Sequence, residues 1–246
     1  MTHDARQDDA GLPPWDLGDI VKAVLLSAIL IVVAVVAILA AGALLRLAGV
    51  SLARSRVVIT VVLLVVQNAS FLVGVWIFGL RKHRAGLAQL GLRPYFPAVG
   101  CGAATLGLAL SLGFNAIYNG LVMGGRAQGT PVLPLFGGGV AGLAVALLIA
   151  SIAVPLVEEM FFRGFLYPGL ARRLGLVAGA LLSAAIFGAA HLNVDTFIPL
   201  SFFGLILALL YSATGSIFPG IMLHSVNNSL ALLAAFMLES GLLPPR

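Results

Sequence analysis

Long apolar runs separated by short polar connections dominate the chain, at about residues 20–45, 57–80, 98–123, 139–167, 174–191, 197–212 and 216–238. Each run is continuous rather than alternating with a period of two. Most reach the roughly 20 residues that a helix needs to cross the hydrocarbon core of a bilayer. The pattern predicts an all-α, polytopic transmembrane helix bundle of about seven spans, with six to eight as the range. A membrane β-barrel would show alternating strands of about ten residues, which are absent from the pattern. Residues 1–19 carry Asp4, Asp8, Asp9, Asp16, Asp19 and the pair Pro13-Pro14, and read as a polar, mobile tail. Residues 20–246 read as a single membrane domain. Its first run is too long for a signal-peptide core and lacks a basic leader, so it reads as an uncleaved span.

Composition sharpens this picture. The 246 residues are 61% hydrophobic and 9% charged, against roughly 25% charged in a soluble domain. A soluble core of this length could not hide so much apolar surface, so the solvent must be lipid. The net charge of +5 is scattered through loops, which argues for topology signals and lipid headgroup contacts and against nucleic acid. With the N-terminus inside, Arg6, Lys22, Arg81, Lys82, Arg84, Arg93, Arg172 and Arg173 fall on the inner side. Arg46, Arg54, Arg56, Arg126 and Arg246 fall on the outer side. The inner set is larger, so the expectation is an integral multi-pass protein with a cytoplasmic N-terminus. The single cysteine, Cys101, permits no internal disulfide and reads as a packing residue.

Charged and hydrogen-bonding groups inside the apolar runs then become the informative residues, because each costs roughly 2.5–3.5 kcal/mol or more at bilayer depth. Glu158, Glu159 and Arg163 lie in the fourth run, Glu158 three residues beyond Pro155, which should release the carbonyl of Ser151. Glu159 and Arg163 have the spacing of a helical ion pair. Glu158 points about 100° away and stays free. Phe187 and His191 share a helix face in the fifth run, as do His224 and Asn228 in the seventh, where Asn227 competes with Asn228 for any polar role. Counting rise per residue brings Glu158 and His191 to similar depth and leaves His224 shallower. Gln67, Asn68, Asn115 and Asn119 read as interhelical hydrogen-bonding groups, and His3 and His83 as solvated loop residues.

A glutamate, two histidines and an asparagine suit activation of a water against a carbonyl. Glu158-Glu159-x-x-x-Arg163, Phe187-x-x-x-His191 and His224-x-x-x-Asn228, in that order, resemble the three motifs of the CAAX protease and bacteriocin-processing (CPBP, or Abi) family. These intramembrane endopeptidases include type II CAAX prenyl proteases. The resemblance covers about residues 139–232, with Gly91-Leu92-Arg93 as its trace in the first half. It implies that Glu158 is the general base and His191 holds the water. It implies further that His224 and Asn228 stabilise the oxyanion, while Glu159 and Arg163 give structural support. No cofactor is expected. The competing version uses zinc held by Glu158, His191 and His224, although a His-Glu-x-x-His helix is missing. The expected substrate is a membrane-embedded or lipidated peptide or protein that enters through the bilayer or the cytoplasmic rim. The rival classes are a non-catalytic membrane scaffold or bacteriocin-immunity protein and a proton-coupled transporter. The transporter should show repeat-related halves, and none is visible.

Overall fold

The computed structural model describes residues 13–49, 56–126 and 132–243, so His3, Arg6 and the first acidic residues of the tail lie outside the described residues. No strand occurs among the described residues. Six helical stretches are long and apolar enough to cross a membrane: Leu17–Leu47, Val57–Arg81, Pro97–Leu121, Gly139–Leu174, Val194–Thr214 and Phe218–Glu239. A seventh, Leu176–Ala190, is shorter. The protein is an integral multi-pass helical bundle.

Chain order gives α1 (Leu17–Leu47), α2 (Arg56–Gly74) and α3 (Pro97–Leu121). The fourth span is segmented into α4 (Gly139–Leu148), a π-helical turn (Ile149–Ala153), α5 (Val154–Glu159), a second π segment (Met160–Leu166) and α6 (Tyr167–Leu174). Then come α7 (Leu176–Ala190), α8 (Val194–Thr214) and α9 (Phe218–Glu239). This span therefore runs on through residues 168–173, which the apolar pattern left between two runs, and turns at Gly175 (φ 83).

Small residues let the backbones approach. A Cβ at Gly74 would lie 3.2 Å from Ala23 across α1 and α2, and one at Gly179 would lie 2.7 Å from the backbone of Ala171. The Ser27 hydroxyl donates to the Ser70 carbonyl at 3.1 Å across the first of these contacts. With no hydrophobic drive between helices in lipid, such close packing and polar links hold the bundle.

The expected polar tail is partly built into the core. Trp15 is fully buried, and its indole N–H donates to the Phe165 carbonyl at 2.8 Å. Gly79 and Gly169 make room for its ring. Asp16 caps α1, and Arg172 donates to the Pro13 and Pro14 carbonyls. Asp19 is buried and binds Lys82 Nζ at 2.5 Å and His83 Nε2 at 2.7 Å, so His83 is not the free loop residue the sequence suggested. The hydrogen bond to Asp19 holds the Lys82 ammonium above the ordinary lysine range. Trp15→Ala is expected to cost about 3–5 kcal/mol, measured as a lower unfolding midpoint in detergent micelles.

Candidate active site

Glu158, Glu159 and Arg163 are carried by the segmented fourth span, and all three are buried. The π turn before α5 decides which carbonyl is freed. In π register, Val154 N–H pairs with the Ile149 carbonyl five residues back. The next carbonyl, Ala150, would pair with residue 155, and Pro155 has no N–H to give. The unpaired carbonyl is thus that of Ala150, not Ser151 as α-helical counting predicted. Asn228 fills the gap, its Nδ2 donating to the Ala150 carbonyl at 2.8 Å. Pro155→Ala restores the missing donor and should loosen Asn228. The expected result is slower catalysis at unchanged or higher thermal stability, and paired activity and melting measurements check it.

Glu159 is the hub of the buried charges. Its Oε1 accepts from Arg163 Nη1 at 2.9 Å, as the i,i+4 spacing anticipated. The same oxygen lies 3.0 Å from His224 Nδ1, a link across 65 residues that the sequence did not reveal. Gly220 permits this approach, since a Cβ there would lie 2.9 Å from Glu159 Oε2. Arg163 Nη2 donates to the Gly204 carbonyl of α8 at 3.2 Å. His224 is therefore not shallower than the acidic pair. Its Nε2 lies 3.8 Å from Glu158 Oε2. The depth count assumed upright α-helices throughout, and the π segment Met160–Leu166 between Glu159 and the turn shortens the fourth span by only a small part of the difference.

Phe187, fully buried, packs these groups together. The Arg163 guanidinium sits 4.4 Å from its ring centroid. The rings of His191 and His224 lie 5.0 and 5.8 Å away, edge to face. An arginine over a desolvated aromatic face is worth about 2 kcal/mol. His191 caps the end of α7, where its Nδ1 meets the Phe187 carbonyl at 2.9 Å. A carbonyl only accepts, so Nδ1 carries the hydrogen and Nε2 is left as the acceptor of the neutral ring. The same reasoning applies to His224, whose Nδ1 hydrogen is given to Glu159.

Glu158, His191, His224 and Asn228 line one cavity of about 180 Å³. Three separate helical elements, α5, the end of α7 and α9, thus bring the four residues singled out in the sequence to one place. Asn227 lines a different cavity with Ser111 and Asn115. Phe203 and Leu200 line both cavities and stand between them. No three His, Cys, Asp or Glu side chains among the described residues are placed to share a metal ion. Glu158, His191 and His224 border the cavity without converging as a ligand set.

Residues 140–230, from α4 into α9, match the family model described as type II CAAX prenyl endopeptidase Rce1-like. This segment is similar to that family. The match holds Glu158, Glu159, Arg163, Phe187, His191, His224 and Asn228. The chain is also similar to "Putative membrane peptidase YdiL" of Bacillus subtilis (strain 168), with 24% identity over 94 residues. That alignment takes in 38% of this chain and 38% of the relative's length. No solved structure matches the chain. The matched segment is the part of the bundle that carries all the buried charges of the cavity, while α1 to α3 lie outside it.

Proposed function

We propose that the protein is an intramembrane endopeptidase that hydrolyses a peptide bond in a membrane-associated or lipidated protein or peptide. The single observation that carries this reading is the gathering of Glu158, His191, His224 and Asn228 around one cavity. Resemblance of the segment to type II CAAX prenyl endopeptidases supports it.

In the proposed reaction, Glu158 takes a proton from water while His191 Nε2 helps to orient that water. The water oxygen bonds to the peptide carbonyl carbon and a tetrahedral oxyanion forms. The carbon–nitrogen bond then breaks, the proton passes from Glu158 to the departing amine, and a new carboxylate remains. Asn228 keeps one Nδ2 hydrogen for the oxyanion, the other being given to Ala150. His224 serves as a second donor through Nε2 when its ring carries both hydrogens. Glu159, paired with Arg163, fixes the orientation of that ring. Removing one oxyanion donor in enzymes of this logic costs about 2.7–4 kcal/mol, or about 10²–10³ in rate.

This reaction is written without a metal. Its expected signature is cleavage that survives exhaustive chelation, with no stoichiometric metal in the purified protein by elemental analysis. Loss of cleavage on chelation, restored by zinc, would replace this reading with the zinc version. The test of the function itself uses purified protein in liposomes with two probes: a farnesylated fluorogenic CAAX peptide and a non-prenylated single-span peptide. Cleavage of at least one is expected, and intact probes at high enzyme concentration would sink the proposal.

A further inference from the structure

The cavity lies toward one end of the bundle. The first end carries the start of α1 and the connections from α2 to α3, α6 to α7 and α8 to α9. Hydrogen bonds tie these together: Lys82 to Asp19, Ile217 N–H to the Gly91 carbonyl and Arg93 to the Gly215 carbonyl. None of these connections lines the cavity. The opposite end carries the connections from α1 to α2, α3 to α4 and α7 to α8. From that end the cavity is lined by Leu135 and Phe136 of the short turn Leu133–Phe136, by Thr60 near the start of α2 and by His191. Glu158 forms the buried side of the cavity, and His191 is exposed.

Basic residues are divided the other way. The first end holds Arg81, Lys82, Arg84, Arg93, Arg172 and Arg173, together with Lys22 in the first turns of α1. Among the described residues the cavity end holds Arg46, Arg56 and Arg126. Short connections rich in Lys and Arg stay in the cytoplasm. The rim also bears on how a substrate arrives. Helix α7 has 15 residues, about 22 Å at 1.5 Å per residue, against a hydrocarbon core of about 30 Å. Its end, with Leu192 94% and Val194 88% exposed beside His191, is thus an apolar lip below the headgroups.

We propose that the cavity opens to the extracytoplasmic side, and that the substrate is a bilayer-borne, apolar or lipidated peptide presented from the extracytoplasmic leaflet. This proposal rests on the peptidase reading for its substrate and on charge and geometry for its orientation. It moves the route of arrival away from the cytoplasmic rim that the sequence suggested.

The experiment separates the two. The only cysteine, Cys101, is replaced by Ser, and Ala88→Cys, Val194→Cys and Ser240→Cys are introduced singly. Ala88 marks the basic end, and Val194 and Ser240 mark the cavity end; all three are exposed. A membrane-impermeant maleimide should label Ser240→Cys in intact bacterial cells and Ala88→Cys only after permeabilisation, while Val194→Cys, below the headgroups, should resist it in both. The same pattern is expected with Glu158→Ala added, because orientation does not depend on catalysis. Alkaline phosphatase fused after residue 246 should be active, and a fluorescent protein fused there should stay dark. Labelling of Ala88→Cys alone in intact cells, or a fluorescent C-terminal fusion, overturns the orientation whatever the protein cleaves. If the orientation holds, a single-span reporter with its cleavable segment in the extracytoplasmic half should be cut and the inverted reporter spared. The reverse preference overturns the substrate assignment.

Discussion

Glu158→Gln is expected to lower the cleavage rate by about 10²–10⁴-fold, the range that a positioned general base supplies, while leaving the protein folded. The reason lies in the difference between two neighbouring carboxylates. Glu159 is fully buried and holds both Arg163 and His224 through one oxygen. Glu158 faces the cavity and makes no hydrogen bond of that kind; its nearest polar contact is His224 Nε2 at 3.8 Å. A neutral amide at 158 keeps the shape of the site and removes no structural partner, so unfolding should change little. It cannot take a proton from water at neutral pH. Activity measured in liposomes beside thermal unfolding in micelles separates the two effects. A Glu158→Gln protein that cleaves at the wild-type rate would remove the proposed base.

Arg163→Ala should act in the opposite way, through the fold. Breaking a buried ion pair by removing one partner costs about 3–5 kcal/mol, because the remaining charge is left uncompensated. Here the cost falls on Glu159, with Glu158 next to it. Phe187 also loses the guanidinium against its face and Gly204 loses its donor. A protein of ordinary stability, about 5–15 kcal/mol, loses a large share of its margin. The expected outcome is poor accumulation or a much lower unfolding midpoint. Arg163→Met combined with Glu159→Gln removes both charges and should recover much of the folded protein. It should not recover cleavage, because His224 then lacks the carboxylate that orients it. Full stability in Arg163→Ala alone would show that Glu159 needs no such partner.

Much of this site was legible in the sequence for a physical reason. Inside a run of Leu, Val and Ala, a buried Glu, Arg or His has few ways to exist, so the residue types and their spacing nearly dictate a shared polar pocket. The Glu159–Arg163 pair and the meeting of Glu158, His191, His224 and Asn228 follow from that constraint. The choice between Asn227 and Asn228 could not be made from the sequence, since adjacent residues differ by only about 100° around a helix. The structure puts them on two cavities.

Other features were hidden because apolar residues permit them equally in several geometries. The π segments Ile149–Ala153 and Met160–Leu166 carry no residue type that marks a π rather than an α register. The first of them nonetheless shifts the freed carbonyl to Ala150. Trp15 was grouped with a polar tail by its neighbours, yet its ring is buried beside Gly79 and Gly169. The small glycines at both contacts are the signal that could have revealed it. The fifth span was read to His191, and the helix does end there, but it starts after Gly175 and is too short to be counted with the other six.

The central claim is that water, activated by Glu158 in this cavity, is what divides the peptide bond. The most direct measurement is reaction of the purified protein with its liposome-borne probe in oxygen-18 water, followed by mass spectrometry of the fragments. The heavy oxygen should appear in the new C-terminal carboxylate of the product, and Glu158→Gln of intact fold should form no labelled product. Labelled product from the Glu158→Gln protein at the wild-type rate, or a cleaved product free of the heavy oxygen, would contradict the account.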